Sequence, residues 1–198
     1  MSLYGQVMHK DWHYPIEFAE SLRLKTGTCV GVRAILPSDK TGLAHFHEIL
    51  SEATVYQRYF SFVSLGRRID PGELARVCSI TRREFALVAT LKSQTSWEQI
   101  IGLAEVVRQD KLDEAECALV VRDYYHNQGL GTHMCRRLLD ISRASGIRRI
   151  VSLVLDENFA MRRVLRKLGF KLEWRLGENA LRATLDLEGK GGKGISLN

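Results

Sequence analysis

The chain has 198 residues, 45% hydrophobic and 26% charged, with a formal net charge of +6. That is the composition of a single soluble globular domain with a full core, and no apolar run approaches the roughly 20 residues that a membrane-spanning helix needs. Asp11, Glu17 and Glu20 stand where a secretory leader would be apolar, so a cytoplasmic protein is expected. The positive excess suits a nucleic acid or a phosphorylated small molecule equally.

Residues 1–26 have mixed polarity with scattered aromatics and read as an arm ahead of the domain. His9 and His13 are four apart, but no third ligand accompanies them, so no metal site is expected. Gly27 to Leu36 reads as the first strand, stopped by Pro37. Ser38 or Asp39 then caps a helix to about Leu50, and Ser51 caps a second. Asp70-Pro71-Gly72-Glu73 combines a cap, a first-turn proline and an acidic third position, predicting a helix to about Cys78. Glu84 to Leu91 and Gln99 to Arg108 read as antiparallel strands joined by the polar turn 93–97. The run from Glu114 to Val121, small and β-branched, reads as a buried central strand.

From Leu130 onward Met134, Leu138, Leu139 and Ile141 fall at helical spacing, and Gly146 ends that helix. Arg149 to Leu155 reads as a strand and Asn158 to Leu168 as an amphipathic helix with Arg162, Arg163, Arg166 and Lys167 outward. Phe170 to Arg175 and Ala180 to Leu187 make a closing hairpin, and residues 188–198 form a glycine- and lysine-rich tail. Cys29, Cys78, Cys117 and Cys135 show no C-x-x-C spacing and lie in strand or helix segments, as buried reduced thiols do.

Between the central strand and the long helix lies Gln128-Gly129-Leu130-Gly131-Thr132. Glycines without Cβ let a ligand approach the backbone, and a helix start offers unpaired N–H groups and the positive end of the macrodipole. That combination is a phosphate cradle. The nucleotide P-loop would need lysine after Gly131, where Thr132 stands, and a dinucleotide fingerprint would need a third glycine near Met134. As a bare pattern, Gly-x-Gly fits an ordinary turn equally well.

In its order of elements the chain resembles the GNAT superfamily of acyl-CoA-dependent N-acetyltransferases over about residues 27–187. The loop His126-Asn127-Gln128-Gly129-Leu130-Gly131 matches the family's Arg/Gln-x-x-Gly-x-Gly/Ala, with His126 departing at the first position. Tyr14-Pro15, Val32 to Pro37, Tyr56-Gln57-Arg58-Tyr59-Phe60 and Glu84 to Ala89 are similar to segments of the bacterial protein-lysine acetyltransferase branch. The resemblance implies an α/β (α+β) fold with a mixed, mostly antiparallel central sheet flanked by helices. The pyrophosphate-binding loop would lie between the fourth strand and the third helix.

It further implies acetyl-CoA as co-substrate, held by His126, Asn127, Gln128, Gly129, Leu130, Gly131 and Thr132. The pantetheine arm would run beside Leu119, Val120 and Val121, and Asn158 and Met161 would meet the cofactor from the last helix. A backbone N–H of Leu119 or Val120 would receive the oxyanion, and Glu116 matches the branch's base. The family's tyrosine acid falls at Leu165, which has no proton to give. The acceptor implied is a primary amine, a protein lysine first and a small amine second, attacking directly in a ternary complex. A CoA-binding regulatory module without turnover is the rival reading, motivated by His126 and Leu165. Nucleic acid is disfavoured because clustered aromatics and a recognition motif are missing.

Read by residue type, Glu116 is an acid in an apolar strand, where burial would raise its pKa toward a base's task. A solvated strand entrance beside Asp113 and Glu114 is the other reading. Cys117 points to the opposite face and no histidine is placed to serve it, so it is assigned to the core.

Overall fold

The computed structural model describes residues 18–81, 83–92, 98–109, 113–175 and 179–187. His9 and His13, most of the arm, the turn at 93–97 and the tail at 188–198 lie outside these residues. Eight strands form one sheet: β1 (Ala19–Arg23), β2 (Cys29–Ala34), β3 (Glu84–Lys92), β4 (Glu98–Arg108), β5 (Glu114–Val121), β6 (Arg149–Leu155), β7 (Lys171–Trp174) and β8 (Ala180–Asp186). Their spatial order is β1-β2-β3-β4-β5-β6-β8-β7. All neighbours are antiparallel except β5 and β6. This is the mixed, mostly antiparallel sheet that the resemblance implied.

The helices are α1 (Lys40–Glu48), α2 (Glu52–Tyr59), α3 (Leu65–Arg68), α4 (Pro71–Val77), α5 (Leu130–Ala144) and α6 (Phe159–Lys167). Their starts follow the cap chemistry. Ser51 accepts the Thr54 N–H, Asp70 accepts those of Gly72 and Glu73, and Asn158 accepts that of Met161.

Helices cover both faces of the sheet. On one face α5 and α6 bury Leu130, Met134, Leu138 and Leu165 against Val30, Val32, Leu87 and Ile150. On the other, α1, α2 and α4 bury Leu43, Phe46, Val55 and Leu74 against Ala86, Val88, Leu103 and Val120. The β3–β4 register shifts at Ala89/Thr90. That bulge puts Ile101 in the α5-side core although Leu103, two residues on, belongs to the α2-side core.

Strand β1 was not foreseen, because its residues fall in the segment read as an arm. Ala-Glu-Ser-Leu-Arg is short and half polar, and what makes it a strand is pairing with β2, from Ala19↔Arg33 to Arg23↔Cys29. Glu20 then fastens it to α5: Arg137 Nη2 donates to Glu20 at 2.7 Å, and His133 Nε2 contacts the same carboxylate. Burial acts to raise the Glu20 pKa, but the hydrogen bonds from Arg137 and His133 outweigh it and hold the carboxyl below its usual range.

Two surface assignments change. Cys29 is exposed, at the edge position opposite Arg23, whereas Cys78, Cys117 and Cys135 are buried and free. Arg162 does not stand in solvent with its neighbours, because it donates to Asp156 at 2.6 Å and covers the Phe159 ring at 5.5 Å.

Candidate functional site

Strands β5 and β6 pair only at Glu114↔Arg149, Ala115↔Ile150 and Glu116↔Val151, and then diverge. The divergence opens the sheet into a cleft of about 900 Å³ walled by β5, β6, the 125–133 loop, α2, α6 and the β1–β2 hairpin. Main-chain alternation decides which groups face it. Arg122 N–H donates to Ile101 at 2.9 Å and the Glu114 carbonyl accepts from Gln109 at 2.9 Å, so the even-numbered residues of β5 spend their main-chain groups on β4. The odd-numbered ones therefore point to the gap. Leu119 is the residue whose N–H and C=O face it beyond the three-residue ladder. The Val121 carbonyl also faces the gap but accepts from His126 Nε2 at 2.7 Å, which requires the proton on that nitrogen.

This separates two residues that sequence treated together. Val120 borders the cleft, yet its N–H belongs to the β4 ladder and its side chain to the α2-side core, so Leu119 alone of the pair can donate there.

At one end of the cleft the loop turns sharply into α5. Asn127 has φ 59° and Gly129 φ 95°, both left-handed. Glycine is the residue that takes such a φ without strain. At Gly131 the constraint is space: a Cβ there would sit 3.1 Å from Leu119 Cδ2, so the leucine side chain would have to give way slightly. The N–H groups of Gln128, Gly129, Leu130, Gly131 and Thr132 have no acceptor among the described residues, the first helical bond in this stretch being His133 N–H to Gly129 O at 3.1 Å. Leu130 contributes only that amide, since its side chain is fully buried in the core.

Gln128 fixes the loop. It accepts Lys25 N–H on its carbonyl at 3.2 Å, accepts from Thr26 Oγ1 at 2.7 Å and donates to the Tyr124 carbonyl at 2.7 Å. Through this contact the β1–β2 hairpin brings Arg23 and Lys25 to the cleft, where Arg136, Arg163 and Lys167 join them from α5 and α6. All five are exposed. Arg136 stands one turn beyond Thr132 on α5, a spacing that could have found it. Arg23 and Lys25 carry no such signal, because only the hairpin's fold brings them near. Of the outward basic run on α6, Arg163 and Lys167 reach the cleft and Arg166 does not.

The other end is built from α2, β5 and β6. Glu116 lines it, exposed rather than embedded, because by alternation it projects on the α2 side where the sheet has opened. It is the one carboxylate among the described residues that line the cleft. Arg58 lines the same end and pairs with Glu105 at 2.8 Å, and Glu105 lies opposite Ala118, diagonal to Glu116. Burial works against the Arg58 charge, but Glu105, and further off Glu116, sustain it. Asp123, just past β5, anchors the start of α2 by accepting from Ser51 Oγ at 2.5 Å and Thr54 Oγ1 at 2.8 Å.

On α6, Asn158 and Met161 border the cleft, with the Asn158 carbonyl oxygen spent on Met161 N–H at 3.0 Å and its amide nitrogen left to donate. Leu165 is fully buried and stands off the cleft. Burial pushes the Cys117 thiol up to about 12, so it stays protonated and belongs to the core as its strand position suggested. Among the described residues no group of histidine, cysteine and carboxylate side chains could hold a metal ion. No helix among them is long and apolar enough to cross a membrane.

Comparison with known proteins agrees with this fold. Acetyltransferase PA5475 of Pseudomonas aeruginosa is 26% identical over 147 residues, which are 74% of this chain and 77% of that protein. Acetyltransferase Pat of Mycolicibacterium smegmatis is 26% identical over 150 residues, and the chain spans only 43% of its length. The crystal structure of the GNAT domain of S. lividans PAT superposes with a TM-score of 0.76 at 23% identity, covering 88% of this chain and 99% of that one. The family described as acetyltransferase (GNAT) domain matches residues 30–171, and the chain thus belongs to the GNAT family of acyl-CoA-dependent N-acetyltransferases.

Proposed function

We propose that the protein moves an acetyl group from acetyl-CoA to a primary amine by direct attack, with a protein lysine as first acceptor and a small amine as second. The observation that carries this reading is the row of acceptorless amides from Gln128 to Thr132 at one end of a cleft whose other end holds Glu116. A diphosphate needs several donors and positive potential, and the amides, the start of α5 and the five basic side chains supply both. The pantetheine arm would lie along the open edge of β5, pairing with Leu119 where β6 no longer does. Asn158 and Met161 would flank it.

The chemistry then follows the cleft. An alkylammonium of pKa about 10.4 must lose a proton before its nitrogen can attack, and Glu116, directly or through water, takes it. As the nitrogen bonds to the thioester carbon, the carbonyl oxygen gains charge, which the Leu119 N–H stabilises. Collapse breaks the carbon–sulfur bond and releases the thiolate, and the nitrogen gives its second proton to water to leave the neutral amide. With Leu165 buried, that thiolate leaves without a proton from the tyrosine position of α6. Simple thiols have a pKa near 8.5, so departure as the thiolate is feasible at neutral pH.

The lysine preference draws on the protein-lysine acetyltransferase branch, to which both the sequence segments and the Pat relatives are similar. A cytoplasmic location, where acetyl-CoA and protein acceptors coexist, fits that reading. Thiol release measured with acetyl-CoA against a protein panel and a small-amine panel tests it. Release with protein substrates supports the proposal, whereas calorimetric binding of CoA with background release on both panels would leave a CoA-binding module instead.

A further inference from the structure

Among the described residues, two other than glycine adopt a left-handed backbone, Phe60 at φ 59° and Asn127 at φ 59°, and both border the cleft. For Asn127 the conformation is ordinary, since a short polar side chain tolerates it. For Phe60 it is not. It sits at the C-terminal cap of α2 (φ 59°, ψ 13°), the position glycine usually fills, and a bulky side chain there costs backbone energy. Its N–H closes the helix on the Tyr56 carbonyl at 2.8 Å, a bond any residue could make. Nor does packing account for the ring, because Phe60 belongs to neither hydrophobic cluster while its neighbour Tyr59 packs against the α2-side one.

What Phe60 does have is a place on the wall of the cleft, at the end of the helix that carries Gln57 and Arg58 and in the same cavity as Glu116. Leu153, 36% exposed in the described fold, lines that cavity from β6. The strained aromatic and the exposed leucine give this cavity an apolar wall beside the Glu116 carboxylate, while the Arg58 guanidinium there is paired with Glu105. From this we infer that Phe60 determines acceptor specificity, its ring covering the apolar stem of an amine, so that the acceptor class is a primary amine on an unbranched hydrocarbon chain and not a polyhydroxylated amine. A lysine side chain and a free alkyl diamine both carry that chemistry. The inference rests on the transferase reading above and deepens it.

The experiment compares wild type, Phe60→Gly and Phe60→Leu. Glycine relieves the left-handed strain and deletes the ring; leucine keeps an apolar side chain in the same backbone. For Phe60→Gly the melting temperature is expected to hold or rise by about 2 °C. Acetyl-CoA affinity should stay within about twofold, and kcat/KM for a lysine-containing peptide and for 1,5-diaminopentane should fall roughly tenfold, mainly through KM. Phe60→Leu should recover most of that loss, and an aminosugar should be a poor acceptor throughout. The two alkyl arms identify the source: preference for the peptide marks a protein lysine, preference for the diamine a small molecule. Undiminished kcat/KM in Phe60→Gly, or a melting temperature several degrees lower, would overturn the assignment by showing the ring idle or structural. Wild-type turnover of the aminosugar alone would also sink it while leaving the transferase reading standing; absence of thiol release with every amine would sink both.

Discussion

The two ends of the cleft are made of different materials. The cofactor end is main chain: consecutive amides presented by one bend and one helix start, with exposed basic side chains around them. The acceptor end is side chains from α2, β5 and β6, held in place by ties that reach across the fold, Asp123 to Ser51 and Thr54, and Arg58 to Glu105. A site made of amides tolerates almost any side chain that leaves the bend intact, so its identity survives as a short local motif. A site made of side chains depends on which strands meet which helix, and it can be retuned one residue at a time.

That contrast can be broken most sharply at Glu116. Glu116→Gln should reduce the rate constant for thiol release by roughly 10²-fold or more at pH 7 while acetyl-CoA affinity, read by calorimetry, stays unchanged. Full activity in this variant would remove Glu116 from the proton step without touching the cofactor end. The converse change is Gly129→Val. A β-branched residue resists φ near 95°, so the bend must rearrange, and acetyl-CoA affinity is expected to weaken about 100-fold. An unaltered dissociation constant would show that the amides are not the diphosphate site.

A third prediction concerns pH and the fold beneath both ends. His47 of α1 is buried with Nδ1 unpartnered, and burial first, then the nearby Arg68 charge, lowers its pKa to about 4 from an ordinary 6.5. A histidine depressed in the folded state contributes stability that is whole above about pH 6.5 and is lost as pH falls toward 4. The loss is at most about 3 kcal/mol from such a shift. Urea midpoints measured between pH 7 and pH 4 should decline, and the decline should flatten in His47→Leu. An equally steep decline in that variant would assign the acid sensitivity elsewhere, Glu20 and its partners on α5 being the next groups to test.

Legibility in the sequence follows the same division. The bounds of β5 and β6 and the start of α5 match the reading of the chain because apolar runs, caps and the glycine bend are local signals. Strand β1 was missed because its five residues become a strand only by pairing with β2, and Arg23 and Lys25 were missed with it. For Glu116 the letters allow two readings, a buried acid in an apolar strand or a solvated strand entrance, and the structure has it exposed. Its exposure comes from the divergence of β6, which a partner strand 35 residues further on decides. Phe60 was noticed only as part of a familiar segment, since nothing in the letters Arg-Tyr-Phe announces a left-handed backbone.

The sheet's single parallel seam bears on how the chain reaches this shape. Strands β3, β4 and β5 form a meander from Glu84 to Val121 in which each strand meets the next through a short connection, so their loop-closure entropy is low. The seam is three register pairs long and must bring Ala115 against Ile150 across the whole of α5. The cleft is thus framed where a long closure in the sheet's second half has the shortest ladder, and the incompleteness of that ladder leaves room for a ligand.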